Sequence, residues 1–295
     1  MGTKQKKKKL PVLFISICVI PTVVLTLIFK IYPTANTLVM SFTDANLLGS
    51  GKFVALDNYA YMFQDKYFIL ALKNTLKLLA VVSVVTIAFS LILAFILTQS
   101  KLREAGIYRT VFYIPNVISL SVIAVIWAFI FNARMGILNN FLDRVGLGML
   151  KRDWLGDSNT ALWCIGVVMI WQAVGYYMIM HIAAIDGISR EIYEAATIDG
   201  AGKARQLLSI TVPLIKNIIG RTFILAVSGT LGMSLSLDKV MTGGGPNGAS
   251  SVLTYYMYRQ GMMQGNYGYA MAITVFTLIM SLGLSLLTEA ITEKE

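Results

Sequence analysis

The chain of 295 residues is unusually apolar: 56% of its residues are hydrophobic, only 14% are charged, and its mean hydropathy is +0.69. Soluble domains carry about 25% charged residues, so this composition excludes an ordinary soluble protein and predicts a protein that lives in lipid. The formal net charge of +10 does not call for a nucleic-acid partner, because anionic membrane lipid and topology account for most of it.

Six apolar stretches are long enough to cross a bilayer, which takes roughly 20 residues in a helix. They are rich in Leu, Ile, Val and Phe and lack the strict alternation that is typical of membrane β-strands. The chain is therefore predicted to be an all-α polytopic membrane protein with six transmembrane helices. The predicted spans are 10–29, 72–97, 110–131, 161–185, 214–235 and 270–291.

The first span follows a run of four lysines, Lys6 to Lys9, of the kind that also begins secretory signals. Its apolar run is too long for a signal and lacks a small-residue cleavage pattern, so a retained anchor is predicted. Basic residues near span ends resist translocation, and this lysine cluster predicts that both termini are cytoplasmic. We expect a basic cytoplasmic N-terminus at 1–9 and a transmembrane domain at 10–295.

The second connection, at 99–109, is short and basic, which suits a cytoplasmic hairpin. Pro115 then lies near the predicted start of the third span. Proline is tolerated in the first turn of a helix, because its missing N–H has no partner there. The third span is therefore predicted as one uninterrupted helix.

The connection between the fourth and fifth spans, at about 186–213, is polar and predicted to be cytoplasmic. Ser189 is a candidate N-cap, and Glu191 and Glu194 follow in the first turns of a helix, where carboxylates complement the helix dipole. Gly200 can adopt the left-handed conformation that ends a helix. A second helix at about 203–210 is predicted to follow. A narrow helix-turn-helix with an exposed carboxylate is a good shape for the cleft of a soluble partner.

This connection resembles the coupling loop of the membrane subunits of binding-protein-dependent ABC importers, in which Glu-Ala-Ala is followed by Gly and by Ile-x-x-Pro. Glu-Ala-Ala alone is common, and on that tripeptide a plain surface hairpin is the better interpretation. The spacing to Gly and Pro, and the place between the fourth and fifth spans, carry the resemblance. The matching residues are Glu194, Ala195, Ala196, Asp199, Gly200, Ala201 and Pro213.

Three other segments resemble carbohydrate-type permeases of this family, the group of maltose, glycerol-phosphate and multiple-sugar permeases. They are residues 56–59, 242–246 and 268–270. Taken alone, the glycines at 243–245 predict only a turn, because glycine reaches backbone conformations closed to other residues. The third of these glycines departs from the family pattern and leaves the loop geometry open.

The resemblance implies a type I ABC importer permease fold in a bacterial inner membrane and import of a sugar or oligosaccharide into the cytoplasm. It implies a transport subunit and not an enzyme, with a second homologous permease subunit, ABC ATPase subunits and an extracytoplasmic solute-binding protein as partners. No cofactor is expected on this chain, since ATP and magnesium would be bound by the ATPase subunits. Residues 200–203 superficially match a phosphate-binding loop, but Thr197 replaces its first glycine and Ala204 its magnesium-binding hydroxyl.

Polar side chains inside membrane helices usually face the bundle interior or a water-filled path. An aromatic ring beside hydroxyl and amide groups suits an uncharged sugar, so the fourth and fifth spans are predicted to line the substrate path. Helix packing is the alternative for each of these residues. The candidates are Trp171, Gln172, Tyr176, Ser228, Thr230 and Ser234.

Several features limit the alternatives. No carboxylate lies at the centre of a predicted span, which speaks against a proton- or sodium-driven transporter. Cys18 and Cys164 lie in separate spans, and the sole histidine, His181, is predicted to be structural, so no metal site is expected.

Two alternatives stay open: a permease for a non-sugar solute such as a glycerol phosphodiester, and a membrane scaffold without transport. An enzyme would need a cluster of acid, base or metal ligands, and none is evident.

Overall fold

The computed structural model describes residues 12–46, 49, 51–100 and 103–293. Across these ranges the chain is helical, with isolated β-bridges and no strand. Five helices are long and apolar enough to cross a membrane, and a bent pair makes the sixth crossing. The fold is therefore an all-α polytopic bundle, as predicted. The basic segment predicted at 1–9 and the first residues of the first span lie outside the described residues.

Fourteen α-helices follow one another along the described chain. They are α1 (Val12–Thr26), α2 (Tyr32–Met40), α3 (Asp57–Gln64), α4 (Lys66–Gln99), α5 (Ala105–Val117), α6 (Leu120–Ile130), α7 (Ile137–Arg144), α8 (Ala161–Asp186), α9 (Arg190–Ile198), α10 (Lys203–Gln206), α11 (Val212–Leu214), α12 (Lys216–Met241), α13 (Leu253–Tyr258) and α14 (Tyr267–Glu293). Short π-helical turns lie at Leu27–Ile31, Leu207–Thr211 and Arg259–Met263.

The first span is longer than predicted. The π-helical turn Leu27–Ile31 joins α1 directly to α2, so the helix passes Lys30 and ends at Met40. Its most apolar window has no residue buried against the rest of the chain, although α2 packs beside α14. This helix therefore offers almost its whole surface to lipid or to another protein.

The third span is broken, which corrects the prediction of one helix over 110–131. α5 begins at Ala105, ahead of the apolar run, so Pro115 falls in its last turn and not in its first. Proline there has no N–H to donate and clashes with the preceding turn, so the helix ends soon afterwards. Residues 118 and 119 are extended, and α6 leaves at 98° to α5.

The core forms where α4, α8 and α12 pack together. Ile165 and Met169 of α8, both fully buried, lie in one cluster with Leu78 of α4 and Leu237 of α12. Nearer the other end, the buried His181 of α8 joins the same three helices. Its Nδ1 lies 3.1 Å from the Ser90 hydroxyl of α4, and its Nε2 lies 3.0 Å from the Thr222 hydroxyl of α12. The His181 imidazole is thus buried and hydrogen-bonded between helices, as expected for the structural role predicted for it.

The connections divide between two faces of the bundle. The face that carries residues 187–215 is called the loop face. The opposite face, called the distal face, carries residues 132–160 and 242–266, together with the connection that precedes α4. Contacts between distant segments assemble the distal face: Asn74 at the start of α4 donates to the carbonyls of Gly248, Ala249 and Ser251 at 2.9 to 3.2 Å.

The contact between α8 and α5 depends on one glycine. A Cβ on Gly175 would lie 1.9 Å from the carbonyl oxygen of Phe112, so the two backbones touch. We expect Gly175→Ala to push these helices apart and to lower the free energy of unfolding by about 1–3 kcal/mol. Thermal unfolding of the detergent-purified protein measures this. Gly232→Ala on α12, where a Cβ meets nothing within 4 Å, is the control. Equal midpoints for the two variants would contradict the close contact.

Candidate functional site

The loop between α8 and α12 begins with the predicted cap. The Ser189 hydroxyl accepts a hydrogen bond from the Glu191 N–H at 3.3 Å, and α9 starts at Arg190. The helix ends at Ile198, and Gly200 has a φ of +78°, the left-handed conformation expected of it. The sequence therefore predicted both ends of this helix, because each depends on a local signal.

The second half of the loop is helical over the predicted 203–210, and the helix continues to Leu214. It is wound as α10, then as the π-helical turn Leu207–Thr211, and then as α11, which contains Pro213. Ile215 interrupts the helix before α12 begins. The loop thus leads into α12 through this helix, which contains a π-helical turn, and through a single break at Ile215.

Internal hydrogen bonds hold the loop in one shape. Gln206, which is almost fully buried, donates through Nε2 to the Thr197 hydroxyl and to the Ala201 carbonyl, both at 2.9 Å. Tyr193 is buried too, and its hydroxyl lies 2.8 Å from that of Thr211. Burial raises the pKa of the Tyr193 hydroxyl above its ordinary value. α9 is therefore fixed to the segment that follows it.

Tyr193 also fixes the loop to the bundle. Its ring packs beside Phe95 of α4, with 6.4 Å between the ring centroids, and Ile185 of α8 belongs to the same cluster. These contacts join α9 to two of the three core helices.

The surface of the loop carries most of the predicted coupling residues. Glu194, Ala195, Asp199, Gly200 and Pro213 are exposed, whereas Ala196 and Ala201 are half-buried. This places the motif where a partner protein can reach it.

Sequence reasoning missed two apolar side chains on this surface. Ile198 is 87% exposed and Leu208 is 67% exposed. The signal was present, because Tyr193 marks the buried side of α9 and the helical period places residue 198 away from it. Exposed apolar side chains mark surfaces at which a protein contact can form.

One predicted path residue lines an open cavity at the surface of the bundle. Tyr176 faces a cavity of about 370 Å³ between α8 and α5, with Arg109, Thr110 and Tyr113 on the opposite wall. Ile179 and Met180 complete the lining. The cavity thus combines aromatic rings, a hydroxyl and one cation on an otherwise apolar wall.

Arg109 ends the basic connection at 99–109, and the sequence alone gave it no role in a site. Its Nε is buried and has no hydrogen-bond partner in the described part of the chain. Arg109 and Tyr113 lie one turn apart on α5, which is a helical signal, but their position opposite Tyr176 depends on tertiary packing.

The other predicted path residues lie elsewhere. The Trp171 ring stacks edge-on against Trp127 of α6 at 5.4 Å, and Gln172 is half-buried without a hydrogen bond among the described residues. Ser228 is exposed on α12. Tyr176 is therefore the one member of this group that the structure places on the cavity wall.

Thr230 and Ser234 are buried, and their hydroxyls already have partners. Thr230 donates to the Ala226 carbonyl at 2.8 Å, and Ser234 donates to the Leu231 carbonyl at 2.7 Å. The Ser234 hydroxyl also lies 2.7 Å from that of Thr254, at the start of α13. This geometry is that of helix packing.

The glycine-rich connection on the distal face is more ordered than a plain turn. Asp238, fully buried near the end of α12, accepts hydrogen bonds from the Gly244 and Val252 N–H groups at 2.9 and 3.0 Å. The hydroxyls of Thr242 and Ser250 donate to the same carboxylate at 2.7 and 3.4 Å. One side chain therefore organises the whole loop.

The described residues offer no group of three or more His, Cys, Asp or Glu side chains that could hold a metal ion. Cys18 and Cys164 are both free thiols. These side chains are suited to recognition. The loop face exposes carboxylates and apolar groups, and the cavity is lined by aromatic and cationic groups.

Comparison with known proteins gives one family. The profile described as "Binding-protein-dependent transport system inner membrane component" matches residues 87–294. The probable ABC transporter permease protein YurN of Bacillus subtilis is 38% identical over 96% of both chains. The diacetylchitobiose uptake system permease protein NgcF of Streptomyces coelicolor is 30% identical and is matched over 93% of this chain and 81% of its own length.

Solved structures show the same fold. The crystal structure of a bacterial ABC transporter that imports the acidic polysaccharide alginate matches with a TM-score of 0.84, at 23% identity and over 96% of both chains. A second structure of an alginate transporter, in complex with an alginate-bound periplasmic protein, matches with a TM-score of 0.83 at 23% identity, over 96% of this chain and 94% of the other. The six crossings thus form a type I ABC importer permease fold.

Proposed function

Because the chain belongs to the family of inner-membrane components of binding-protein-dependent transport systems, we propose that it moves a sugar or oligosaccharide into the cytoplasm. As an ABC transporter permease it is a transport subunit and not an enzyme. The observation that carries the proposal is the rigid loop that exposes Glu194 and is joined to α4 through Tyr193. NgcF, whose name records uptake of diacetylchitobiose, supports the choice of cargo.

In this proposal the loop face is cytoplasmic and both termini lie on that side. Residues 186–213 form the coupling loop, which docks into ABC ATPase subunits that bind ATP and magnesium, so this chain needs no cofactor. Closure of the ATPases on ATP pushes α9, and the contacts of Tyr193 carry the movement to α4 and α8. The result is alternating access of a path inside the bundle.

The remaining partners follow from the exposed surfaces. A second homologous permease subunit packs beside this one, and the helix from Ser16 to Met40, whose most apolar window has no buried residue, is free to reach it or lipid. The distal face then receives an extracytoplasmic solute-binding protein. The described complex of an alginate transporter with a periplasmic protein supports that arrangement.

The cavity between α5 and α8 is the proposed part of the sugar path. Tyr176 and Tyr113 supply rings on which the C–H face of a sugar can stack, and Thr110 supplies a hydroxyl. We expect Tyr176→Ala to reduce sugar uptake about tenfold, which corresponds to roughly 1.4 kcal/mol. Uptake of radiolabelled sugars into membrane vesicles with the binding protein measures this.

The control for Tyr176 is Tyr108→Ala, because Tyr108 is exposed on α5 and is not part of the cavity wall. We expect that variant to transport normally. Equal uptake by both variants, with the complex intact, would remove Tyr176 from the path.

A second cargo class is favoured by Arg109, because its buried Nε has no hydrogen-bond partner among the described residues and a guanidinium suits an anionic solute such as a glycerol phosphodiester. Competition for uptake between neutral sugars and glycerol phosphodiesters separates the two. If only the anionic compounds compete, the sugar assignment is wrong although the permease class stands.

A further inference from the structure

A polar cavity on the distal face holds a cation that nothing in the described chain neutralises. The cavity measures about 400 Å³ and is walled by the glycine-rich connection at 243–248 and by Tyr67, Arg259 and Gln264. It is separate from the cavity of Tyr176, which lies between α5 and α8. We call it the Arg259 cavity.

Arg259 is held in place but not paired. Its guanidinium lies over the rings of Tyr67 and Tyr256, with 5.7 and 5.1 Å to the ring centroids. In the part of the chain that the structure describes it forms no ion pair, and its Nε is buried without a hydrogen-bond partner. A guanidinium that is fixed by stacking and left unsatisfied is prepared for an incoming planar anion.

The two buried carboxylates of this face are already committed to other groups. Asp65 accepts hydrogen bonds from the Tyr67 N–H at 2.9 Å and from the hydroxyls of Tyr256 and Tyr269. Asp238 accepts the four hydrogen bonds that hold the glycine-rich connection. Neither lies within ion-pair distance of Arg259, so the missing anion has to come from another molecule.

The position of the cavity favours a protein side chain as the source of that anion. The cavity opens on the distal face, beside Lys66, whose ammonium lies 5.2 Å from the Tyr67 ring, so the rim is cationic. Electrostatic complementarity between a cationic pocket and an acidic surface fixes the register of a protein–protein encounter. In the function proposed above, the partner on this face is the solute-binding protein.

We propose that the Arg259 cavity receives an aspartate or glutamate side chain of the solute-binding protein when that protein docks. The inference rests on the proposed function and adds a contact to it. The cavity wall at 243–245 is anchored by Asp238 at one end of α12, and the other end of α12 follows the coupling loop. Docking and coupling therefore act at the two ends of one helix.

The test uses the complete importer in lipid nanodiscs and its cargo-loaded binding protein. We expect Arg259→Gln to raise the Kd of the binding protein about tenfold or more and to weaken its dependence on salt. The control is Arg144→Gln, which removes an equal charge from an exposed site on α7 of the same face. We expect that variant to bind nearly as the wild type does.

A second variant keeps the proposal testable if Arg259→Gln fails to assemble. Gln264→Glu places a carboxylate on the cavity wall, where it competes with the incoming one, and it alters only an exposed side chain. We expect it to raise Kd several-fold. Asn140→Asp, the same exchange of amide for carboxylate at an exposed position of α7, is its control.

The possible results distinguish a failure of the Arg259 contact from a failure of the proposed transport function. If the wild-type importer binds its binding protein and every assembled cavity variant binds equally well, the Arg259 contact is wrong while the importer stands. If added phosphate occupies the cavity and Kd does not change, the site takes a free anion and the docking proposal is overturned. If the wild-type complex does not bind any binding protein, the proposed function itself fails.

Discussion

Replacing Glu194 with lysine is expected to lower uptake sharply and to abolish the co-purification of the ATPase, while the chain still inserts and folds. Glu194 is exposed on α9 and makes no hydrogen bond or ion pair within the described residues, so the shape of the loop does not depend on it. A reversed charge in a protein contact costs several kcal/mol, and we expect uptake to fall about a hundredfold.

The measurement is affinity purification of the tagged subunit from its native membrane, with quantitative mass spectrometry of what accompanies it. Glu104→Lys is the matched control, because Glu104 is exposed in the neighbouring connection of the loop face. We expect the control to retain the ATPase. Retention of the ATPase and of uptake by Glu194→Lys would show that the loop is a hairpin and not the coupling element.

Replacing Asp238 with alanine is expected to cause the largest loss of stability. The carboxylate is fully buried and accepts four hydrogen bonds, including those from Gly244 and Val252. Each buried donor left without an acceptor costs about 1–3 kcal/mol, so the loss should be at least about 3 kcal/mol. The connection after α12 should then lose its shape, and with it the wall of the Arg259 cavity.

Thermal unfolding of the detergent-solubilised protein, followed by the loss of monodisperse material on gel filtration, tests this. Val240→Ala, two residues away on the exposed side of α12, is the control and should unfold near the wild-type temperature. If Asp238→Ala unfolds at the same temperature as the control, water or another group satisfies these donors and the organising role of Asp238 is wrong.

Much of the bundle could be predicted from apolar run length, because the lipid core demands about 20 residues for each crossing. The same argument failed where a helix extends beyond its apolar run. α1 continues into α2 past the polar Lys30, because helical hydrogen bonds need no apolar side chain. In the third span the helix begins at Ala105, outside the apolar run, and this displaced Pro115 from the first turn to the last.

The candidate sites divide in the same way. Ser189 and Gly200 act on their immediate neighbours, so their roles in shaping the loop could be predicted from a few residues. Arg109 meets Tyr176 only because α5 packs against α8, and Asp238 meets Val252 only after the chain has turned back. Residues that meet only through tertiary packing give no signal in the local sequence. For this reason the glycine-rich connection, taken alone, predicted only a turn.

The single histidine has a mechanical consequence. Because His181 bonds to both Ser90 and Thr222, α4, α8 and α12 cannot slide past one another near the loop face without breaking a buried hydrogen bond. These three helices should therefore rotate as one block during transport. We expect the described part of the subunit to bend instead at breaks outside these contacts, such as the 98° bend between α5 and α6 and the break at Ile215.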